Sequence, residues 1–385
     1  MTEQSPQIGT ASREILTPRL QLVAWEITRS CNLLCAHCRA SALHGAYSGE
    51  LTTEECFKLI DQILEVGNPI LILTGGEPLL RKDFFEIAEY ASSKGLRIVM
   101  GSNGTPVTAE IAARMKQVPV ARIGVGLDFP SPELQDKFRG EPGAYEAAIK
   151  GINEARKAGV EVQINATITR LNAKYLDDLL ALAKKLGAVA FHPFMLVPTG
   201  RGKGLADVEL SPQEYEDILN WIYDKQAELG DKMFFKPTDA PHYLRIMKQR
   251  DKQARIEAEA AGCPHNAVAM GGAKPHAHAM NTLSRGCLAG VGFCFISHRG
   301  QVQGCGYLDV SAGNVREQSF GEIWNSSPLF CDLRDLTLYK GKCGLCEYRK
   351  LCGGCRARAY EASGDYLEAE PYCIYEPPAA ARAGL

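Results

Sequence analysis

Three cysteines at close spacing, Cys31-x3-Cys35-x2-Cys38, are the first residues of this chain whose types and spacing could do chemistry. A second group runs Cys287, Cys294, Cys305, Cys343, Cys346, Cys352, Cys355 and Cys373. Thiols gathered this way are metal or cluster ligands, or they form disulfides. The residues before Ile15 are polar, so no secretory signal is expected, and no apolar run reaches the ~20 residues of a membrane span. A cytoplasmic chain follows, where thiols stay reduced and close-set cysteines bind metal. The net charge of −2 gives no electrostatic footprint for nucleic acid. Cys56 and Cys331 read as buried small hydrophobes, and Cys263 as an inert thiol.

The triplet supplies three ligands, whereas a closed zinc site takes four. Either His37 or a distant residue completes a zinc site, or a cubane cluster sits there with one iron left open. The run Cys343-x2-Cys346-x5-Cys352-x2-Cys355 is equally open to two readings, a zinc ribbon or cluster ligation.

The elements that must position these residues alternate. Strand-like runs occupy 22–27, 70–73, 97–100, 122–127, 162–168 and 189–195. Helical patterns at 53–66, 83–94, 144–158 and 175–186 fall between them, and Thr52 with Glu55 forms a capping box for the first. This alternation predicts an α/β fold of βα units around a parallel sheet, as a partial barrel or an open doubly wound sheet. In both, chemistry belongs on the loops that follow the strands. The triplet follows the first strand, Gly75-Gly76-Glu77 the second and Ser102-Asn103 the third; Asp128 ends the fourth, Asn165 lies in the fifth, and Gly200-Arg201 follows the sixth. Helical patterns at 212–229 and 243–260 lead into a Gly/His-rich stretch at 262–281, which reads as a lid, and 320–326 reads as a short helix.

The triplet, with Gly75-Gly76-Glu77 behind the next strand, resembles the radical S-adenosylmethionine (SAM) superfamily. That resemblance implies a partial (β/α)6 barrel and an open 4Fe–4S cluster on Cys31, Cys35 and Cys38. It further implies SAM contacts from His37, Gly75, Gly76, Glu77, Ser102, Asn103, Asp128, Asn165 and Gly200. The family often has Ser where Gly126 stands, which makes Arg139 the alternative partner for the SAM carboxylate.

The later cysteines look like a SPASM domain. Its family pattern implies one auxiliary 4Fe–4S cluster on Cys287, Cys294, Cys305 and Cys355, and a second on Cys343, Cys346, Cys352 and Cys373, hence three clusters in all. The expected organisation is an extension at 1–20, a barrel at 21–235, a bridging segment at 236–285 and the SPASM domain at 286–385. The segments around Cys31, Cys287 and Cys305 are similar to the tetrapyrrole-modifying branch of the superfamily. What this implies is oxidative decarboxylation of two propionates of iron-coproporphyrin III to vinyls, with an electron donor such as a ferredoxin or flavodoxin. Oxygen sensitivity and an anaerobic host go with it. Peptide-modifying or sulfatase-maturing enzymes, the haem d1 and didecarboxysirohaem branches, and a plain iron–sulfur electron carrier are the other readings. Arg201, His265, Lys274, His276, His278 and Arg285 are the candidate substrate contacts.

Overall fold

The computed structural model describes residues 15–16, 19–260 and 285–383. The candidate substrate contacts His265, Lys274, His276 and His278, and the thiol of Cys263, lie outside the described residues. Strand β1 (Leu22–Thr28) is followed by α1 (Thr53–Val66), β2 (Ile70–Gly75), α2 (Phe84–Ser93), β3 (Arg97–Ser102) and α3 (Ala109–Gln117). Next come β4 (Arg122–Gly126), α4 (Pro132–Arg139), α5 (Ala144–Lys157), β5 (Glu161–Ile168), α6 (Leu176–Lys185) and β6 (Ala190–Met195). Helix α7 (Pro212–Leu229), the two-residue β7 (Phe234–Phe235) and α8 (Tyr243–Ala260) close this half.

Local chemistry explains the boundaries. Thr52 accepts from the Glu55 amide while Glu55 accepts from the Thr52 amide, so α1 starts on the expected capping box. Ser211 and Glu214 do the same for α7. In β1, Val23, Trp25 and Ile27 are fully buried against the helices, and the alternate Glu26 turns to the other face.

Strands β1 to β6 are parallel and neighbour one another in chain order. A doubly wound sheet reverses its strand order at a switch point; this one does not, which decides for the partial barrel. The sheet then continues past β1. Strand β8 (Phe293–Ile296) pairs parallel to β1, and β9 (Gln301–Gln303) and β10 (Ser311–Asn314) follow antiparallel, giving ten strands in one sheet. Helices α9 (Phe320–Ser326), α10 (Pro328–Arg334), α11 (Gly341–Leu345), α12 (Arg356–Ser363) and α13 (Pro378–Ala383) complete the C-terminal part. Cys56 is fully buried on α1 as expected, but Cys331 is exposed, because Phe330 and Leu333 take the buried side of the short α10. Among the described residues, no helix is long and apolar enough to cross a membrane.

Candidate iron–sulfur and SAM site

The loop after β1 is held from two sides. Leu34 and Ala36 donate to the carbonyls of Arg139 and Phe138 at the end of α4. The Arg201 amide donates to the Cys38 carbonyl at 3.0 Å, and its side chain donates to the carbonyls of Cys35 (2.9 Å) and Ala42 (2.7 Å). Arg201, expected to meet substrate, therefore braces the triplet loop. Gly200 has φ +54°, and a Cβ there would stand 2.2 Å from the Arg39 carbonyl oxygen, so only glycine lets the two loops touch.

Each triplet sulfur receives an N–H. Leu33 donates to Cys31 Sγ and Ala42 to Cys38 Sγ, both at 3.4 Å. Asn103 Nδ2 reaches Cys31 Sγ and Arg139 Nη1 reaches Cys35 Sγ, both at 3.8 Å. Burial pushes the Cys31 thiol up to about 11, against the Leu33 amide, and raises Cys35 as well. Thiols so buried ionise on binding a cationic metal core. Donors already aimed at the sulfurs fit thiolate ligands.

Glu77 is fully buried. It accepts from Ser102 Oγ (2.9 and 3.0 Å), the Asn103 amide (2.8 Å) and the Leu79 amide (3.2 Å). Burial outweighs these bonds and pushes its carboxyl up to about 7, so a cation brought against it would be favoured. Ser102, expected to contact SAM, is engaged with Glu77, and Asn103 is engaged with Asn32 and Cys31. Gly75 and Gly76 also meet a packing need. A Cβ on either would lie 2.4 Å from the Thr28 or 2.3 Å from the Ser30 carbonyl oxygen, so they let β2 abut the start of the cysteine loop.

Arg139 explains the glycine at 126. Its guanidinium lies across Gly126, where a Cβ would fall 2.2 Å from Nη2, and it pairs with the fully buried Asp128 at 2.5 Å. Burial opposes the arginine's charge, and Asp128 overrides it and moves its pKa up. Asp128 also accepts from the Thr167 amide at 2.8 Å. His37 stacks on Phe138 with centroids 4.7 Å apart, and burial holds its pKa down to about 4, so the ring is neutral. Asn165 accepts from Gln163, which also meets His192 Nδ1 at 2.9 Å.

Several residues escaped the sequence reading. Glu26, fully buried in β1, accepts from Arg39 (2.6 Å), His298 Nδ1 (2.8 Å) and Arg29 (3.0 Å). A carboxylate inside the apolar run Leu22–Thr28 was the available signal. Arg39 also lies 4.3 Å over the Phe295 ring. Tyr307 lies within electrostatic reach of Arg39, Cys305 and Cys38. Lys236 is a further half-buried cation near Asp239, with its pKa lowered by desolvation.

In the C-terminal part, Cys343, Cys346, Cys352 and Cys373 line one pocket together with His242 and Arg245. The Glu370 amide donates to Cys343 Sγ (3.3 Å) and the Gly354 amide to Cys352 Sγ (3.4 Å). Cys287 lies within electrostatic reach of Cys305 and of Cys355. Among the described residues, no three His, Cys, Asp or Glu side chains converge as one metal ion requires. Separated thiols around a cavity with amides aimed at them suit the larger body of a cluster.

Cys294 is not brought to the other three. It sits on β8 opposite Val23, packed in the apolar layer, and among the described residues the charge its thiol feels is that of Arg334. Phe295, one residue on, turns to the opposite face and meets Arg39. Arg285, a candidate substrate contact, donates instead to Tyr339 Oη at 2.9 Å.

Comparisons with known proteins agree with this geometry. Residues 25–184 match the family model of the radical SAM superfamily, and residues 287–356 match SPASM, an iron-sulfur cluster-binding domain. The AdoMet-dependent heme synthase of Nitratidesulfovibrio vulgaris is 49% identical over 369 residues, covering 96% of each chain. That of Methanosarcina barkeri is 48% identical over 94% of this chain and 98% of its own. Among solved structures, Streptococcus suis SuiB bound to S-adenosylmethionine superposes with a TM-score of 0.69 at 14% identity, covering 92% of this chain and 77% of that one. At that identity the likeness concerns the fold.

Proposed function

We propose, from the premise that this chain belongs to the radical SAM superfamily and to its AdoMet-dependent heme synthase family, that it converts iron-coproporphyrin III to haem b. The observation that carries this reading is the 49% identity spread over 96% of both chains, through both cysteine regions. Each of two propionates would lose one hydrogen atom from its β-carbon, one CO2 and one electron, leaving a vinyl group.

Cys31, Cys35 and Cys38 would hold the cluster that engages SAM. Cys287, Cys305 and Cys355 would hold one auxiliary cluster, and Cys343, Cys346, Cys352 and Cys373 another, three in all. Bound there, these groups would supply a 5′-deoxyadenosyl radical at the barrel mouth and an acceptor for the surplus electron. The chain's own residues prepare the ground. Glu77 suits the SAM ammonium, and Arg139, fixed over Gly126 beside Cys35, suits its carboxylate. His37, Asp128, Asn165 and Gly200 shape the rest of that pocket. Lys236, half-buried near Asp239, is a cation suited to a propionate of the substrate. A ferredoxin or flavodoxin in the cytoplasm would donate electrons.

Reconstituted protein mixed with iron-coproporphyrin III, SAM and reductant is expected to give monovinyl and then divinyl products, each step losing the mass of CO2 and yielding 5′-deoxyadenosine. Formation of 5′-deoxyadenosine with no porphyrin mass loss would defeat the substrate assignment. Absence of 5′-deoxyadenosine would return the electron-carrier reading.

A further inference from the structure

We propose that the Asp239 carboxylate, and not Cys294, is the fourth protein ligand of the cluster at Cys287, Cys305 and Cys355. The inference rests on the reading of those three cysteines as one cluster site. Cubane clusters ordinarily take four protein ligands, and the sequence offers Cys294 as the fourth. The strand pleat turns that thiol into the apolar layer beside Arg334, away from the other three.

Asp239 has what Cys294 lacks. Its charge is among those felt by Cys305, Cys355 and Tyr307. The charges of Arg358 and Lys236 reach it, but its Oδ2 is buried with no hydrogen-bond donor on it, an unfilled acceptor that a further partner would complete. The backbone is strained to place it there: Asp239 has φ +59°, one of two non-glycine residues in the left-handed region among those described. Tyr215 Oη (2.6 Å) and Arg358 Nη1 (3.0 Å) pin its carbonyl, and Thr238 pairs with Phe194 beside β6.

The loop carrying Asp239 also touches the segments that deliver the cysteines. Arg358 lies three residues beyond Cys355 on α12. Gly286, next to Cys287, packs on Pro241 so closely that a Cβ would stand 2.5 Å from the Pro241 carbonyl oxygen. The nearby acid Glu370 is already engaged, accepting from the Cys355 amide (2.8 Å) and the Tyr372 amide (3.2 Å). An oxygen ligand is harder than a thiolate, so the iron it holds is the one most readily lost or exchanged.

The test uses the full chain with Cys31, Cys35 and Cys38 all changed to Ala, so that the remaining iron belongs to the C-terminal sites. Iron per chain and electron paramagnetic resonance after reduction and after mild oxidation are compared for Cys287→Ala, Cys294→Ala, Asp239→Ala and Asp239→Cys. Cys294→Ala is expected to match the parent in both readouts. Asp239→Ala should lose one iron of that cluster and give a 3Fe–4S signal on oxidation, and Asp239→Cys should restore the iron with altered g-values. If Asp239→Ala loses the whole cluster, restoration by Asp239→Cys upholds the assignment and failure to restore overturns it. Parent-like spectra for both Asp239 variants, or cluster loss in Cys294→Ala, also overturn it. An unchanged iron count in Cys287→Ala would instead sink the underlying three-cysteine reading, which separates the two failures.

Discussion

Around Cys31, Cys35 and Cys38 the molecule is regular: the loop leaves a buried parallel strand, and α4 and the loop after β6 clamp it with backbone and arginine hydrogen bonds. Around Cys343, Cys346, Cys352 and Cys373 it is not. That region is built of helices of five to eight residues and left-handed turns at Gly353 and Gly354, with no strand of its own beyond β10. One apolar core runs under both regions, but the barrel loop leaves a strand buried in that core, whereas the four C-terminal thiols line an open pocket among short helices. In the proposed reading, packing fixes the site in one region and coordination would fix it in the other. Metal binding and folding should be separable in the first and inseparable in the second.

The largest effect expected from this contrast is that of Cys352→Ala. It should lose a whole cluster, about four irons per chain, and open residues 340–376 to proteolysis while the barrel stays resistant. Iron analysis with limited digestion measures both. A C-terminal part that keeps its protection after losing the iron would break the contrast.

Cys35→Ala should show the opposite pattern. It should lose about four irons as well, and 5′-deoxyadenosine formation should fall to background. Its melting midpoint should nevertheless stay within about 4 °C of the parent's, the shift of ~1–2 kcal/mol in a chain this long. A collapse of the barrel would show that the triplet, too, is structural.

Next in size is Arg358→Met, which acts on the joint between the regions. The buried Arg358 of α12 donates to the carbonyls of Leu196 (3.1 Å) and Asp239 (3.0 Å) and pairs with the fully buried Glu370 at 3.5 Å. Removing one partner of a buried pair leaves the other uncompensated, at a cost of about 3–5 kcal/mol. Calorimetry should resolve two transitions in the variant where the parent shows one.

Legibility followed the same divide. The six parallel strands and their larger helices stand close to where apolar runs and caps place them, because burial on both faces leaves few alternatives. Helix α4 did not announce itself, since most of its eight residues are polar, and with it went the buried role of Arg139. The order of the loops gave the triplet, Glu77 and Asp128, but not who partners whom. Ser102, Asn103 and Arg201 turn inward to hold protein atoms, and that depends on contacts between segments as far apart as Cys35 and Arg201. In the C-terminal part, spacing could not show which side of β8 Cys294 faces, since a pleat is invisible until the strand's register is fixed.

The smallest effect probes the barrel's interior polar network without touching a cysteine. Burial alone would raise the Glu26 carboxyl, but the His298 hydrogen bond and then the charges of Arg39 and Arg29 override it and hold the group near 2 against an ordinary 4.5. A carboxyl depressed on folding gives stability that is fully present above 4.5 and is lost as pH falls through 2. The shift corresponds to roughly 3 kcal/mol at most. Glu26→Gln should therefore lower the melting midpoint at neutral pH, and between pH 4.5 and 2 the parent should lose its advantage until the two curves converge. Because Glu26 ties β1 to Arg39, next to Cys38, and to His298, beyond β8, it joins the barrel to the sheet's extension by charge rather than by iron. The pH dependence should accordingly be the same in iron-free and iron-loaded protein. If loading the iron changes it, the barrel's scaffold is not independent of its clusters, and the contrast between the two regions narrows to one of degree.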